Sequence, residues 1–274
     1  MSDWQSDDLQ VNGLRLHYTR TGGAKPPLVM LHGFSDDGSC WTPLAERFEA
    51  DYDVIMPDAR GHGFSEAPEQ GYSPADQAAD AKGIITALGL HKPLILGHSM
   101  GAATTLALAG LYPDVPGAIL LEDPPAWWIN RGFQKPSTPE QLAKSRESII
   151  ARNNQSREDL IAGERRNNPT WSDAELGPWA DSKMRLSPKV VGLFEPSVIG
   201  SVDWASVLPR IACPALLITA EVGRGAIVSD EAAAALKKII PQLQVAHIPN
   251  AGHCIHRDRL DDYIVKVKAF LAGL

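Results

Sequence analysis

Short apolar runs punctuate this chain and set its architecture. They are Leu28-Val29-Met30-Leu31, Val54-Ile55-Met56, Leu94-Ile95-Leu96, Ala118-Ile119-Leu120-Leu121, Ala215-Leu216-Leu217-Ile218 and Leu243-Gln244-Val245-Ala246. Most of these short runs, with little polar alternation, read as strands buried on both faces, the pattern of a parallel sheet. Longer segments of helical period lie between them, at about 42–49, 73–89, 100–111, 229–240 and 257–272. Strand alternating with helix predicts an α/β fold, a mostly parallel sheet covered by helices on its two faces.

Two regions depart from that rhythm. Near the N-terminus, Leu9-Gln10-Val11 and the alternating Leu14-Arg15-Leu16-His17-Tyr18-Thr19 flank Asn12-Gly13, a type I′ hairpin signal. From about Pro125 to Asp203 there is no strand pattern, only helical pieces near 139–152, 156–166 and 172–185. This stretch holds Trp127, Trp128, Trp171 and Trp179, with Phe133 and Met184 nearby. The expected organisation is a core of residues 1–124 plus 204–274, interrupted by a helical cap of residues 125–203.

Composition narrows the function. The 274 residues are 44% hydrophobic, enough for one sizeable core. A net charge of −7 gives no general attraction to nucleic acid or to an anionic membrane, so a small organic substrate is the expected partner. Oligomerisation is left open between monomer and homodimer. Cys40, Cys213 and Cys254 show no C-x-x-C spacing, which argues against a disulfide framework and a zinc site. No metal and no cofactor are called for. The polar, acidic N-terminus lacks the look of a signal peptide, and no apolar run reaches the roughly 18 residues of a membrane span, so a cytoplasmic protein is expected.

The chemistry is concentrated in Gly97-His98-Ser99-Met100-Gly101, which follows the apolar run at 94–96 and precedes the small-residue helix from Ala102. A G-x-S-x-G between strand and helix is a nucleophile elbow: the turn is too tight for side chains at either glycine, and Ser99 sits at its apex. The helix N-terminus behind it directs N–H groups and partial positive charge at the same point. A serine hydroxyl needs an imidazole to take its proton. His253, in Asn250-Ala251-Gly252-His253, follows the last core run, where the chain order nucleophile, acid, base expects it; His256 is the competitor one turn on.

Asp58-Ala59-Arg60-Gly61-His62-Gly63-Phe64-Ser65 resembles the D-x-R-G-H-G-x-S loop of the α/β-hydrolase superfamily. With His32-Gly33, Gly97–Gly101 and Gly252-His253, the resemblance spans nearly the whole chain outside 125–203. It implies an α/β-hydrolase fold with a helical cap, and an oxyanion hole formed by the backbone N–H groups of Phe34 and Met100. The side chains of His32 and His62 are expected to be structural.

The orienting carboxylate is the departure. The superfamily usually carries an Asp just past the strand that corresponds to 215–219, but the chain reads Ala220-Glu221-Val222-Gly223-Arg224-Gly225 there. Haloalkane dehalogenases and zearalenone-type lactonases place the acid one strand earlier, where this chain has Glu122-Asp123-Pro124-Pro125. Asp123 is the preferred acid, with Glu122 and Glu221 as alternatives. Asp230 reads as first-turn helix electrostatics.

The implied reaction is hydrolysis of a carboxylic ester or lactone of a small hydrophobic substrate through an acyl-enzyme on Ser99, with Trp127 and Trp128 as candidate substrate contacts. A serine at the elbow argues against dehalogenase and epoxide hydrolase chemistry, which uses Asp there. Two alternatives stand beside it. One is C–C hydrolysis of a ring-cleavage product, for which Arg131, Arg146, Arg152, Arg165 and Arg166 would have to bind a carboxylate. The other is a hydrolase-fold receptor that binds without turnover.

Overall fold

Asn12 and Gly13 both take left-handed backbone angles, φ 53° and 79°, and fold β1 (Gln5–Val11) onto β2 (Leu14–Arg20) with Val11 opposite Leu14. This is the two-residue turn that the Asn-Gly pair predicts. The computed structural model describes residues 4–129, 137–198 and 200–274.

The apolar runs form β3 (Pro27–Leu31), β4 (Asp53–Pro57), β5 (Leu94–His98), β6 (Ala118–Glu122), β7 (Ala215–Thr219) and β8 (Leu243–His247). All eight strands join one sheet in the order β1-β2-β4-β3-β5-β6-β7-β8. The hairpin pairs antiparallel with β4, and every pairing from β4 to β8 is parallel.

Alternate residues of each central strand face opposite layers, so each strand needs apolar side chains on both sides. Val29, Ile95, Ile119 and Leu217 point into one core, against α2 (Pro74–Ala87), α3 (Met100–Leu111) and α8 (Asp230–Ile239). Met30, Leu96, Leu120 and Ile218 point into the other, packed with Trp41, Phe48, Tyr263 and Phe270. Burying each such side chain contributes about 1.5–3 kcal/mol. Ser73 begins α2 with a reciprocal capping box to Asp76.

Three expectations need adjustment. β8 lies at the sheet edge, so Gln244 and Val245 are exposed rather than buried. The helix expected over 42–49 is a 3-10 turn, Gly38–Trp41, followed by the single turn α1 (Thr42–Ala45). The helix expected over 257–272 divides into α9 (Ile255–Asp258) and α10 (Leu260–Leu271), because Arg259 at φ −142° leaves the helical region.

Between β6 and β7 the described residues contain no strand. They form α4 (Pro139–Asn153), α5 (Arg157–Asn167), α6 (Asp173–Arg185), a 3-10 segment, Pro188–Phe194, and α7 (Trp204–Val207). Leu142 and Ile149 of α4 pack with Val190, Val191 and Tyr72. Buried charge joins α6 to the rest of the molecule. Lys183 Nζ donates to Asp36 at 2.6 Å and to the Ser35 carbonyl at 2.7 Å, and Arg257 donates to the other Asp36 oxygen at 2.9 Å. Burial opposes charge on Asp36, yet the two cations outweigh it and hold the carboxyl well below its usual range.

Candidate active site

Ser99 joins β5 to α3 with φ 52° and ψ −111°, a conformation that a side-chain-bearing residue rarely adopts. Its neighbours explain the glycines. A Cβ on Gly97 would lie 2.4 Å from the Gly101 carbonyl oxygen, and one on Gly101 would lie 2.0 Å from that of Leu31. The strained turn persists because packing on both sides determines it. Met100 opens α3, so its N–H belongs to the helix's first turn, which lacks intrahelical acceptors.

His253 reaches Ser99 from the loop before α9. Its Nδ1–H donates to Asp123 Oδ2 at 2.6 Å, and its Nε2 stands 3.0 Å from Ser99 Oγ. A carboxylate can only accept, so the Asp123 bond leaves Nε2 as the acceptor for the serine proton. Asp123 follows β6 at φ 42° and is fully buried. Its carboxylate also accepts the Ile227 N–H, at 3.0 and 2.8 Å to its two oxygens, and the Val228 N–H at 2.9 Å. The loop after β7 thus offers its backbone donors to the Asp123 carboxylate that follows β6.

The other carboxylates are engaged elsewhere. Glu122 accepts the His256 ring at 2.8 and 2.9 Å and the His256 backbone N–H at 3.0 Å. Burial works against its charge, but His256 and His98 together with these hydrogen bonds take the carboxyl down to about 2. Glu221 is paired with Arg224 at 3.0 Å and accepts the Asn250 N–H at 2.8 Å. Asp230 starts α8, beside the capping Ser229.

His98, the second residue of the elbow, supports His253 from behind. Its Nε2–H donates to the His253 carbonyl at 2.9 Å, and its ring lies 4.7 Å from the His253 ring. Burial pushes its pKa down to about 3, so it is neutral at pH 7. A Cβ on Gly33 would come within 2.6 Å of its Nδ1, which accounts for that glycine. Burial also raises the Cys254 thiol to about 12, which removes it as a nucleophile near neutrality.

The loop histidines have structural partners. His32 accepts the Ala59 N–H at Nε2 and donates from Nδ1 to the Gly33 carbonyl. Burial lowers His62 to about 3. Asp58 accepts the N–H groups of Gly38 and Phe64, and Arg60 pairs with buried Asp80 at 2.6 Å.

Ser99 opens onto two cavities. One, of about 350 Å³, is lined with it by Phe34, Met100, Trp127, Leu193, Phe194 and Trp204, among others. The second, of about 430 Å³, is lined by Ser99, His253, Phe34 and polar residues of α5 and α6. Trp127 lies in the first, 5.3 Å from Trp204. Trp128 is not among the residues lining either cavity; its indole N–H donates to the Ala232 carbonyl at 2.8 Å, which anchors it on α8. Phe133 and Arg131 lie outside the described residues. The sequence reading missed Leu193, Phe194 and Trp204 as lining, because their convergence depends on how distant segments fold back.

Residues 26–260 match a family model described as the alpha/beta hydrolase fold. The chain belongs to the α/β hydrolase family. It is 31% identical over 268 residues to N-formylmaleamate deformylase of Pseudomonas putida, covering 96% of this chain and 95% of that protein. It is 26% identical over 250 residues to 2-(acetamidomethylene)succinate hydrolase of Mesorhizobium japonicum, covering 86% and 84%. Among solved structures, an E-2-(acetamidomethylene)succinate hydrolase superposes with a TM-score of 0.79 at 21% identity, over 98% of this chain and 99% of that one. The enol-lactonase from Burkholderia xenovorans superposes with a TM-score of 0.74 at 23% identity, over 97% and 100%. This α/β hydrolase therefore shares its fold with enzymes named for several acyl substrates. Among its described residues, no group of three or more His, Cys, Asp or Glu side chains is arranged to hold a metal ion, and no helix is long and apolar enough to cross a membrane.

Proposed function

We propose that this hydrolase cleaves a carboxylic ester or lactone of a small hydrophobic compound through an acyl-enzyme on Ser99. The observation that carries the reading is the continuous line Asp123–His253–Ser99, bonded at 2.6 and 3.0 Å and open to an apolar cavity. In this reading Ser99 Oγ attacks the carbonyl carbon as His253 Nε2 takes its proton. The Phe34 and Met100 N–H groups stabilise the oxyanion. His253 then protonates the leaving oxygen, which departs. Water attacks the acyl carbon, giving its proton to His253, and Ser99 is released with the acid product. Asp123 holds the ring in the required tautomer and stabilises the imidazolium. Residues 125–203 act as a cap over this centre.

A second reading, hydrolysis of an N-acyl bond, is favoured by the names of the two relatives, a deformylase and an acetamidomethylene hydrolase. The same groups perform it, with a nitrogen in place of the leaving oxygen. The C–C reading has less support. Arg146 and Arg165 sit in exposed ion pairs with Glu195 and Asp173, Arg152 and Arg166 are exposed, and none of the four lines a cavity at Ser99.

The test is turnover of p-nitrophenyl butyrate, γ-lactones, N-formylmaleamate and a 2-hydroxy-6-oxo-dienoate by the protein and by Ser99→Ala. Saturable ester or lactone turnover lost in Ser99→Ala is expected. Preference for N-formylmaleamate moves the assignment to amide cleavage, preference for the dienoate moves it to C–C cleavage, and tight binding without turnover makes the protein a receptor.

A further inference from the structure

The two cavities at Ser99 differ in character, and the position of His253 gives each a role. Among the described residues, no charged side chain lines the cavity under Trp127, Leu193, Phe194 and Trp204. The other is lined by the cations Lys183, Arg224 and Arg257 and by the carboxylates Asp36, Glu164 and Asp258. Of the two cavities at Ser99, Met100 lines the apolar one and His253 the polar one.

In serine hydrolysis the base gives its proton to the leaving atom, so that atom departs on the side where the imidazole is reached. The acyl carbon stays on Ser99, with its oxygen held by donors that include the N–H after the nucleophile. The substituent of that carbon then extends away from the base, into the cavity that Met100 shares.

Each cation of the polar cavity already has a carboxylate partner, Arg257 having Glu175 at 3.5 Å as well. Asp36 takes both Lys183 and Arg257, and Arg224 pairs with Glu221. Asp258 accepts the Trp171 indole N–H at 2.8 Å and the Gly252 N–H at 2.7 Å, and Glu164 accepts the Asn168 amide at 2.8 Å. An anionic group would have to compete with Asp36 for the two buried cations, at a desolvation cost. Trp171 and Trp179 add flat faces, each beneath a cation about 5.0 Å away.

Resting on Ser99 acylation as read above, we propose that the substrate joins an apolar acyl group to a neutral, polar alcohol or amine. The acyl group occupies the apolar cavity, and the polar fragment leaves through the cavity beside His253. This differs from the carboxylate-bearing compounds in the names of the two curated relatives.

The test uses two matched ester series on the purified protein. In the first, glycerol monoesters run from acetate to decanoate. In the second, hexanoate is esterified to glycerol, glycolate, choline or n-hexanol. The expected result is a kcat/KM at least about tenfold higher for hexanoate than for acetate, and about tenfold higher for glycerol than for the other three alcohols. Leu193→Trp should shift the acyl optimum shorter and leave the alcohol ranking unchanged. Trp179→Leu should flatten the alcohol ranking and leave the acyl optimum in place.

A preference for acetate, for glycolate, for choline or for hexanol overturns the assignment, as does either variant altering the other cavity's ranking. Labelling of Ser99 by a fluorophosphonate separates the two levels of failure. Labelling with a reversed ranking sinks the division of the site alone, whereas absence of labelling sinks the acyl-enzyme reading beneath it.

Discussion

Glu122 and Asp123 are consecutive carboxylates, each holding a histidine from one short segment, yet the two pairs do different work. Asp123 binds the His253 ring at 2.6 Å, and that side chain keeps about a third of its surface exposed (32%), with Nε2 directed at Ser99. Glu122 binds both the ring and the backbone of His256, which lies sealed beneath Trp41 at 4.5 Å. An imidazole becomes a base when a carboxylate fixes one nitrogen and the other meets a reacting group. Sealed on all sides, the same pair anchors the chain, here at His256 in the first turn of α9, three residues after His253.

The comparison can be broken most strongly at Asp123. Asp123→Asn is expected to lower kcat about ten-thousandfold with the fold retained, the effect of losing the correct imidazole tautomer. Ester kinetics alongside circular dichroism check this, and a loss no larger than that of Glu122→Gln would erase the distinction. Glu122→Gln should instead cost about 3 kcal/mol of stability, as expected for replacing a buried carboxylate that accepts several hydrogen bonds, while the folded enzyme keeps a kcat near the parent's. Urea denaturation and active-site titration with a fluorophosphonate measure both quantities.

The pH dependence sharpens the same contrast. The Glu122 carboxyl is depressed from an ordinary 4.5 to about 2, so its contribution is complete above pH 4.5 and is lost as pH falls through about 2. The stability gap between parent and Glu122→Gln should therefore shrink below pH 4.5, by up to about 1.4 kcal/mol per pH unit. A gap that widens on acidification would contradict the buried carboxylate. The smallest effect is expected at Glu221, which stands exposed with Arg224. Glu221→Gln should change stability little and leave kcat unaltered, since exposed pairs contribute little. A collapse in kcat would transfer the acid's role to it.

Much of this arrangement was legible beforehand because it rests on local sterics. The alternation of apolar runs with helical segments anticipates every strand of the sheet, and Asn12-Gly13 anticipates its hairpin. Gly97 and Gly101 are required by contacts of 2.4 and 2.0 Å that any side chain would violate, so the elbow is readable from five residues. Less was legible where the outcome depended on an edge or a distant partner. β8 carries an apolar run, yet it ends the sheet, so Gln244 and Val245 are exposed. The adjacent tryptophans were grouped together, yet Trp127 meets Trp204 in the cavity while Trp128 bonds to α8.

The amino-acid sequence by itself determined the parallel sheet, the strained serine and the loop that carries His253, since each depends on residues close together in the chain. The tertiary structure alone decided which acid meets that histidine. Glu122 and Asp123 differ by one position, and the choice follows from the backbone reversal at Asp123, φ 42°, and from the N–H groups of Ile227 and Val228, more than a hundred residues away, that receive its carboxylate. It likewise decided that Ser99 stands between an apolar and a polar cavity, because their walls come from segments that meet only once the chain has folded.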